Sequence, residues 1–125
     1  VTYSIAFDLY ELPKTQPDTF PNRFARTNYR KKWHRWVWES VLAAGGAPAA
    51  PLERAAVTCV RHSAREPDPD NLAYSFKVVL DGLKHAGVIR DDRRAVVGAP
   101  VYIWEWTKPK YGRITIGVRE EPREQ

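Results

Sequence analysis

Cysteine occurs once in these 125 residues, at Cys59, which excludes an intramolecular disulfide and any thiolate metal cluster. Cys59 lies in the apolar-rich run Ala55-Ala56-Val57-Thr58-Cys59-Val60 and is expected to pack as a small hydrophobe, a usage that fits a reducing, cytoplasmic setting. No stretch approaches the apolar length of a transmembrane helix, and Val1 is followed by alternation rather than a charged leader, so neither a membrane partner nor a signal peptide is expected. A glycine-rich phosphate loop and a Ser/His/Asp arrangement are absent, and no small-molecule cofactor is expected. His34, His62 and His85 are scattered along the chain, each expected to be structural. Acidic residues are missing between Arg23 and Arg35, where Arg23, Arg26, Arg30, Lys31, Lys32 and Arg35 interleave with aromatics.

The length suits one domain with a modest core. A net charge of +5 and a pI near 9.5 favour a polyanionic partner such as nucleic acid. Tyr3, Ile5, Phe7 and Leu9 alternate as in a half-buried strand. A long aperiodic loop with Pro13, Pro17 and Pro21 follows from Glu11 to Asn28, a candidate binding loop. Asn28 is expected to cap a first helix to about Ala44, with Trp33, Trp36, Val37 and Val41 on its core face and Gly45-Gly46 as its stop; Trp38 lies off that stripe. Residues 55 to 62 read as a second strand and residues 71 to 86 as a second helix, whose stripe is Leu72, Phe76, Val79, Leu80 and Leu83 and whose end is Gly87. Two final strands, from Pro100 to Trp106 and from Arg113 to Val118, read as a hairpin, with a frayed tail from Arg119 to Gln125. The order β-α-β-α-β-β predicts a small α/β (α+β) domain over residues 1 to 125, a mixed sheet with helices packed on it.

Within this basic chain, Asp68-Pro69-Asp70 holds a carboxylate pair on a rigid, extended entry to the second helix, and Asp91-Asp92 follows its far end. Crowded carboxylates call for a cation or a proton, and oxygen-only ligands suit Mg²⁺ or Mn²⁺. The alternative is that these aspartates are helix caps and a polar turn in a non-catalytic DNA- or RNA-binding module.

The order Asp68-Pro69-Asp70-Asn71-Leu72, a helix carrying Lys77 and Asp81-Gly82-Leu83, then Ala86-Gly87-Val88 and Asp91-Asp92, resembles the RusA family of Holliday junction resolvases. The motif covers roughly the middle quarter of the chain, and the flanking elements agree in order with that family's small domain. The resemblance implies a homodimeric, Mg²⁺-dependent endodeoxyribonuclease that acts on branched DNA, cutting four-way junctions by paired nicks. It implies metal-binding and catalytic roles for Asp68, Asp70 and Asp92, an accessory role for Asp91, and a catalytic role for Lys77. The chain departs from the family in having Tyr74 where the helical lysine usually falls and a longer Glu11 to Asn28 loop. A surface pair between Lys77 and Asp81 is the other reading of that lysine.

The six basic residues from Arg23 to Arg35, with Arg61, Arg65, Arg90, Arg93 and Arg94, are expected to grip DNA phosphates. A continuous helix over residues 71 to 86 spans roughly 24 Å, while the chain from Gly87 to Asp92 retraces at most about 17–20 Å. Either that helix starts late or bends, or Asp92 completes a metal site across a two-fold axis.

Overall fold

The computed structural model describes residues 2–16 and 20–122. Its elements in chain order are β1 (Ser4–Leu9), α1 (Arg23–Ala43), β2 (Ala55–Ser63), α2 (Pro69–Ser75), α3 (Lys77–His85), α4 (Arg94–Val97), β3 (Val101–Trp106) and β4 (Arg113–Glu120). The fold is α+β, a mixed four-stranded sheet in the order β1-β4-β2-β3 with helices against it. Period-two alternation sets the buried face: Ile5, Phe7 and Leu9 of β1 lie opposite Val118, Ile116 and Ile114 of β4, which in turn neighbour Val57 and Cys59 of β2. Trp33, Val37 and Val41 of α1 and Val79, Leu80 and Leu83 of α3 complete that core. Trp36 packs at its margin, and Trp38 is exposed.

Strands β3 and β4 do not form the expected hairpin. β2 and β3 pair in parallel, Cys59 opposite Tyr102 and Ser63 opposite Trp106, whereas β4 inserts antiparallel between β1 and β2. A parallel neighbour requires a crossover, which α2, α3 and α4 supply. β4, with Ile114, Ile116 and Val118 fully or nearly fully buried, takes an interior position; β3, with Val101 and Ile103 outward and exposed, takes an edge. The connection from Thr107 to Gly112 passes over β2, a displacement of about 10 Å that six residues span without strain.

On the sheet's other face a polar row crosses the strands. The Thr115 hydroxyl donates to Asp8 (2.6 Å), His62 Nε2 lies 3.1 Å from Thr115 Oγ1, and His62 Nδ1 lies 3.5 Å from Glu105. Because the hydroxyl proton is engaged by Asp8, His62 Nε2 is the donor to Thr115, and the row is a cross-strand ladder rather than an activated nucleophile.

Two helix boundaries differ from expectation in ways that shape the site. α1 starts at Arg23, not after Asn28, because the Asn22 side chain accepts from the Ala25 amide (2.9 Å) and caps it. The second helix is broken at Phe76 (φ −90°, ψ −2°). There the Phe76 amide bonds to the Ala73 carbonyl and the Ser75 hydroxyl donates to Leu72 O (2.7 Å), a local bond that competes with the helical ladder. Fully buried Phe76 stacks on Tyr102 with centroids 5.8 Å apart. As expected, Gly87 (φ 79°) closes α3: its amide bonds to Lys84 O and that of Val88 to Leu83 O. At the other end of the chain, residues 119–120 are not frayed, since β4 reaches Glu120 and Glu121 N bonds to Arg54 O. Residues 123–125 of the expected tail and Pro17 of the expected loop lie outside the described residues.

Candidate active site

The early start of α1 puts Arg23, Arg26 and Arg30 on a helix, three and four residues apart and hence on one face, instead of on a loop. Arg26 and Arg30 line a cavity of about 480 Å³ whose far wall is Tyr74, Lys77, Val78, Asp81 and Asp92, with Phe20 and Tyr29 also contributing. A second cavity of about 320 Å³ shares Lys77 and Asp92 with the first and extends to Arg94 and Tyr102. Lys77 and Asp92 therefore stand on the ridge between two basic-rimmed hollows.

A short parallel bridge fixes the segment that carries Asp92. Leu52 N donates to Val88 O (2.9 Å) and Arg90 N to Leu52 O (3.0 Å), while Val88 and Ile89 are buried in the core. Arg90 also pairs with Glu53 at 2.7 Å. Beyond this anchor the two adjacent aspartates differ. Asp91 faces Arg93 Nε (3.0 Å) and Lys84 Nζ (3.8 Å) and accepts from the Asp92 amide (2.7 Å). Hydrogen bonding with Asp92, together with those cations, holds its carboxyl below the ordinary range. Asp92 is raised by partial desolvation, by its hydrogen bond with Asp91 and by the charges of Asp91 and Asp81. Asp91 thus already has its cations, and Asp92 is the carboxylate whose negative charge is under-compensated.

Lys77 does not pair with Asp81, which instead binds His34 at 2.6 Å. Among the described residues the Lys77 ammonium has no ion pair, and it is exposed to both cavities. Tyr74, Lys77 and Asp81 share the larger cavity, and Asp70 is not part of its lining. Asp68 is the N-cap residue of α2, followed by Pro69 at the first helical position, but its side chain makes no capping bond. Asp68 and Asp70 are exposed, and neither carboxylate has a hydrogen bond or ion pair among the described residues. Among the described residues Asp68, Asp70 and Asp92 do not form a set of three ligand atoms within 4.8 Å of one another, whereas His34, Asp81 and His85 do.

The remaining basic residues divide by what already holds them. Arg23, Lys31, Arg65 and Arg94 are exposed; Lys32 lies over Trp36, and Arg26 over Phe20. Arg35 pairs with Glu39 (2.8 Å), and Arg90 and Arg93 are paired as above. Arg61 is no phosphate grip. It is 8% exposed on the sheet's covered face, its Nη1 donates to Pro13 O (2.7 Å), and burial pushes its guanidinium below the ordinary range. It anchors the chain after β1 from beneath. The histidine pair escaped the sequence reading, although Asp81 and His85 at helical i, i+4 spacing were the available signal. No protein-family model and no curated protein matches this chain.

Proposed function

We propose that the chain is a structure-selective endodeoxyribonuclease of the RusA kind, which as a homodimer resolves four-way DNA junctions by paired, Mg²⁺-dependent nicks in recombination and repair. It would act in the cytoplasm, on DNA. The observation that carries this reading is that Lys77, an ammonium with no ion pair among the described residues, and Asp92, a carboxylate with no cation paired to it, line the same two hollows, rimmed by Arg26, Arg30 and Arg94. Such an arrangement suits a phosphodiester: cations grip the flanking phosphates, and the carboxylate holds a metal against the one to be cut. The start of α1 adds to it. Arg23 and Arg26 sit in its first turn with no acidic residue, so like charge accumulates at the positive end of the helix dipole, which a bound phosphate would relieve.

The donor chemistry fits Mg²⁺ or Mn²⁺. Asp92, Asp68 and Asp70 offer only oxygen, and Mg²⁺ commonly takes one or two carboxylates and fills its remaining positions with water and substrate phosphate. Asp92 would hold the ion, with Asp70 and Asp68 supplied by the partner chain, since within one chain they form no ligand set with Asp92. Bound there, the ion would lower the pKa of water and offset charge on the phosphorane-like transition state. The protein's own part is positional. Lys77 sets a fixed positive charge at the reacting phosphate, Arg26 and Arg30 hold the strand on one side, and Arg94 holds it on the other. A four-way junction is two-fold symmetric, which matches two centres in a dimer.

The test is cleavage of labelled four-way, Y-shaped and linear duplex DNA with and without Mg²⁺. Paired nicks in the four-way substrate are expected, falling at least about 100-fold in Asp92→Asn, because a ligand change costs no less than an outer-shell one. Junction binding without cleavage at any Mg²⁺ concentration would instead establish a non-catalytic DNA-binding module.

A further inference from the structure

We propose that His34, Asp81 and His85 form a second metal site, selective for a borderline transition-metal ion such as Zn²⁺ and separate from the oxygen-only aspartates discussed above. His34 comes from α1, and Asp81 and His85 from one face of α3. Asp81 Oδ2 is the hub, 2.6 Å from His34 Nε2 and 3.9 Å from His85 Nε2. The two imidazoles stack with centroids 4.2 Å apart and planes 25° from parallel, which presents both Nε2 atoms to the same carboxylate.

Tetrahedral Zn²⁺ with bonds of about 2.0–2.1 Å places its ligand atoms about 3.3 Å apart. Reaching that spacing requires His34 and Asp81 to part slightly and the His85 ring to turn out of its stack on His34, so that the in-plane lone pairs of both Nε2 atoms converge on one ion. The exposures suit this motion: the side chain of His34 is 18% exposed and that of Asp81 31%, so two ligands are held, while that of His85 at 59% is free to swing. Two nitrogens and one oxygen match Zn²⁺, Co²⁺ or Ni²⁺ and not Mg²⁺. Three protein ligands leave a fourth position open, and Asp81 borders the larger cavity, through which an ion and a water can enter.

Packing presents the ligands before any ion arrives. Gly82, next to Asp81, lets α3 approach α1 so closely that a Cβ there would meet Val37 Cβ and Cγ2 at 3.0 Å. Val37 is one turn beyond His34 on α1, so the same close contact that seats Val37 brings His34 to Asp81. The site would fasten the basic helix to the helix that carries Lys77.

The experiment titrates the intact protein with Zn²⁺ against a chromophoric chelator and records the visible spectrum with Co²⁺ in parallel. One tightly bound Zn²⁺ per chain and the intense Co²⁺ bands of four-coordination are expected, with millimolar Mg²⁺ unable to compete. His85→Ala and Asp81→Asn should each weaken Zn²⁺ binding at least about tenfold, and His62→Ala, on the opposite face of the sheet, should leave it unchanged. His85 is exposed, so its variant reports on binding even if Asp81→Asn fails to fold. Absence of stoichiometric Zn²⁺ binding, or the same affinity in His85→Ala as in the wild type, would overturn the proposal. Neither result bears on junction cleavage.

Discussion

Replacing Gly82 with Ala tests the contact on which the geometry of α1 and α3 rests. The new methyl would sit 3.0 Å from Val37 Cβ and Cγ2 and 3.3 Å from Cγ1, against about 3.5–4.0 Å for a relaxed carbon pair. The shortfall is about 0.5–1 Å, and Val37, β-branched and wholly buried, has no free end to move aside. Overpacking of this kind costs about 1–3 kcal/mol. Exchanging Gly for Ala inside a helix returns about 1 kcal/mol, so a net loss of about 0–2 kcal/mol is expected, with a fall in Tm of up to about 8 °C. Thermal and urea unfolding of Gly82→Ala, Val37→Ala and the double variant resolve the two contributions. Val37→Ala alone should cost about 2 kcal/mol for its lost methyls and the space they leave. In the double variant the new methyl occupies part of that space, so the combined loss should fall short of the sum by about 1 kcal/mol or more. Additive losses, or a Gly82→Ala protein more stable than the wild type, would refute the claim that the helices meet at this glycine.

Three further outcomes follow from the site and the core. Mixed dimers of Asp70→Asn and Asp92→Asn subunits should regain cleavage at one centre if each metal site takes Asp92 from one chain and Asp70 from the other; sites confined to single chains predict no recovery, and a nicking assay on a labelled junction reads the difference. Cys59 should resist thiol reagents at pH 8 in the folded protein and react rapidly in denaturant, because burial pushes its thiol up to about 12. By the same linkage, stability should decline as pH rises above about 9, where the unfolded chain ionises its thiol and the folded chain does not; Cys59→Ser should flatten that part of the curve.

The elements were legible in the chain wherever a period was long enough to register. β1, with Ile5, Phe7 and Leu9, and the Val79, Leu80, Leu83 stripe of α3 lie where alternation and helical spacing put them. The mispaired hairpin has a different cause. Adjacency in sequence favours pairing Val101–Trp106 with Arg113–Glu120, but partner choice depends on which strand buries more, a property of the whole sheet. The helix break at Phe76 was equally hidden, since an apolar stripe continues through it; only the Ser75 hydroxyl turning back to Leu72 O marks the place. That break means residues 71 to 86 are not one continuous helix, and yet Asp68, Asp70 and Asp92 form no set of three ligand atoms within 4.8 Å of one another. Motif spacing registers residues that a helix or turn brings into line, and the resemblance resting on it named Lys77 and Asp92, which line the same two cavities. It is blind to pairs that meet only because two helices pack, and His34 is such a residue, 47 positions from Asp81 and within hydrogen-bond distance of it. The acidic positions could thus be read along the chain, whereas the approach of His34 to Asp81 is written only in the contact of α1 with α3.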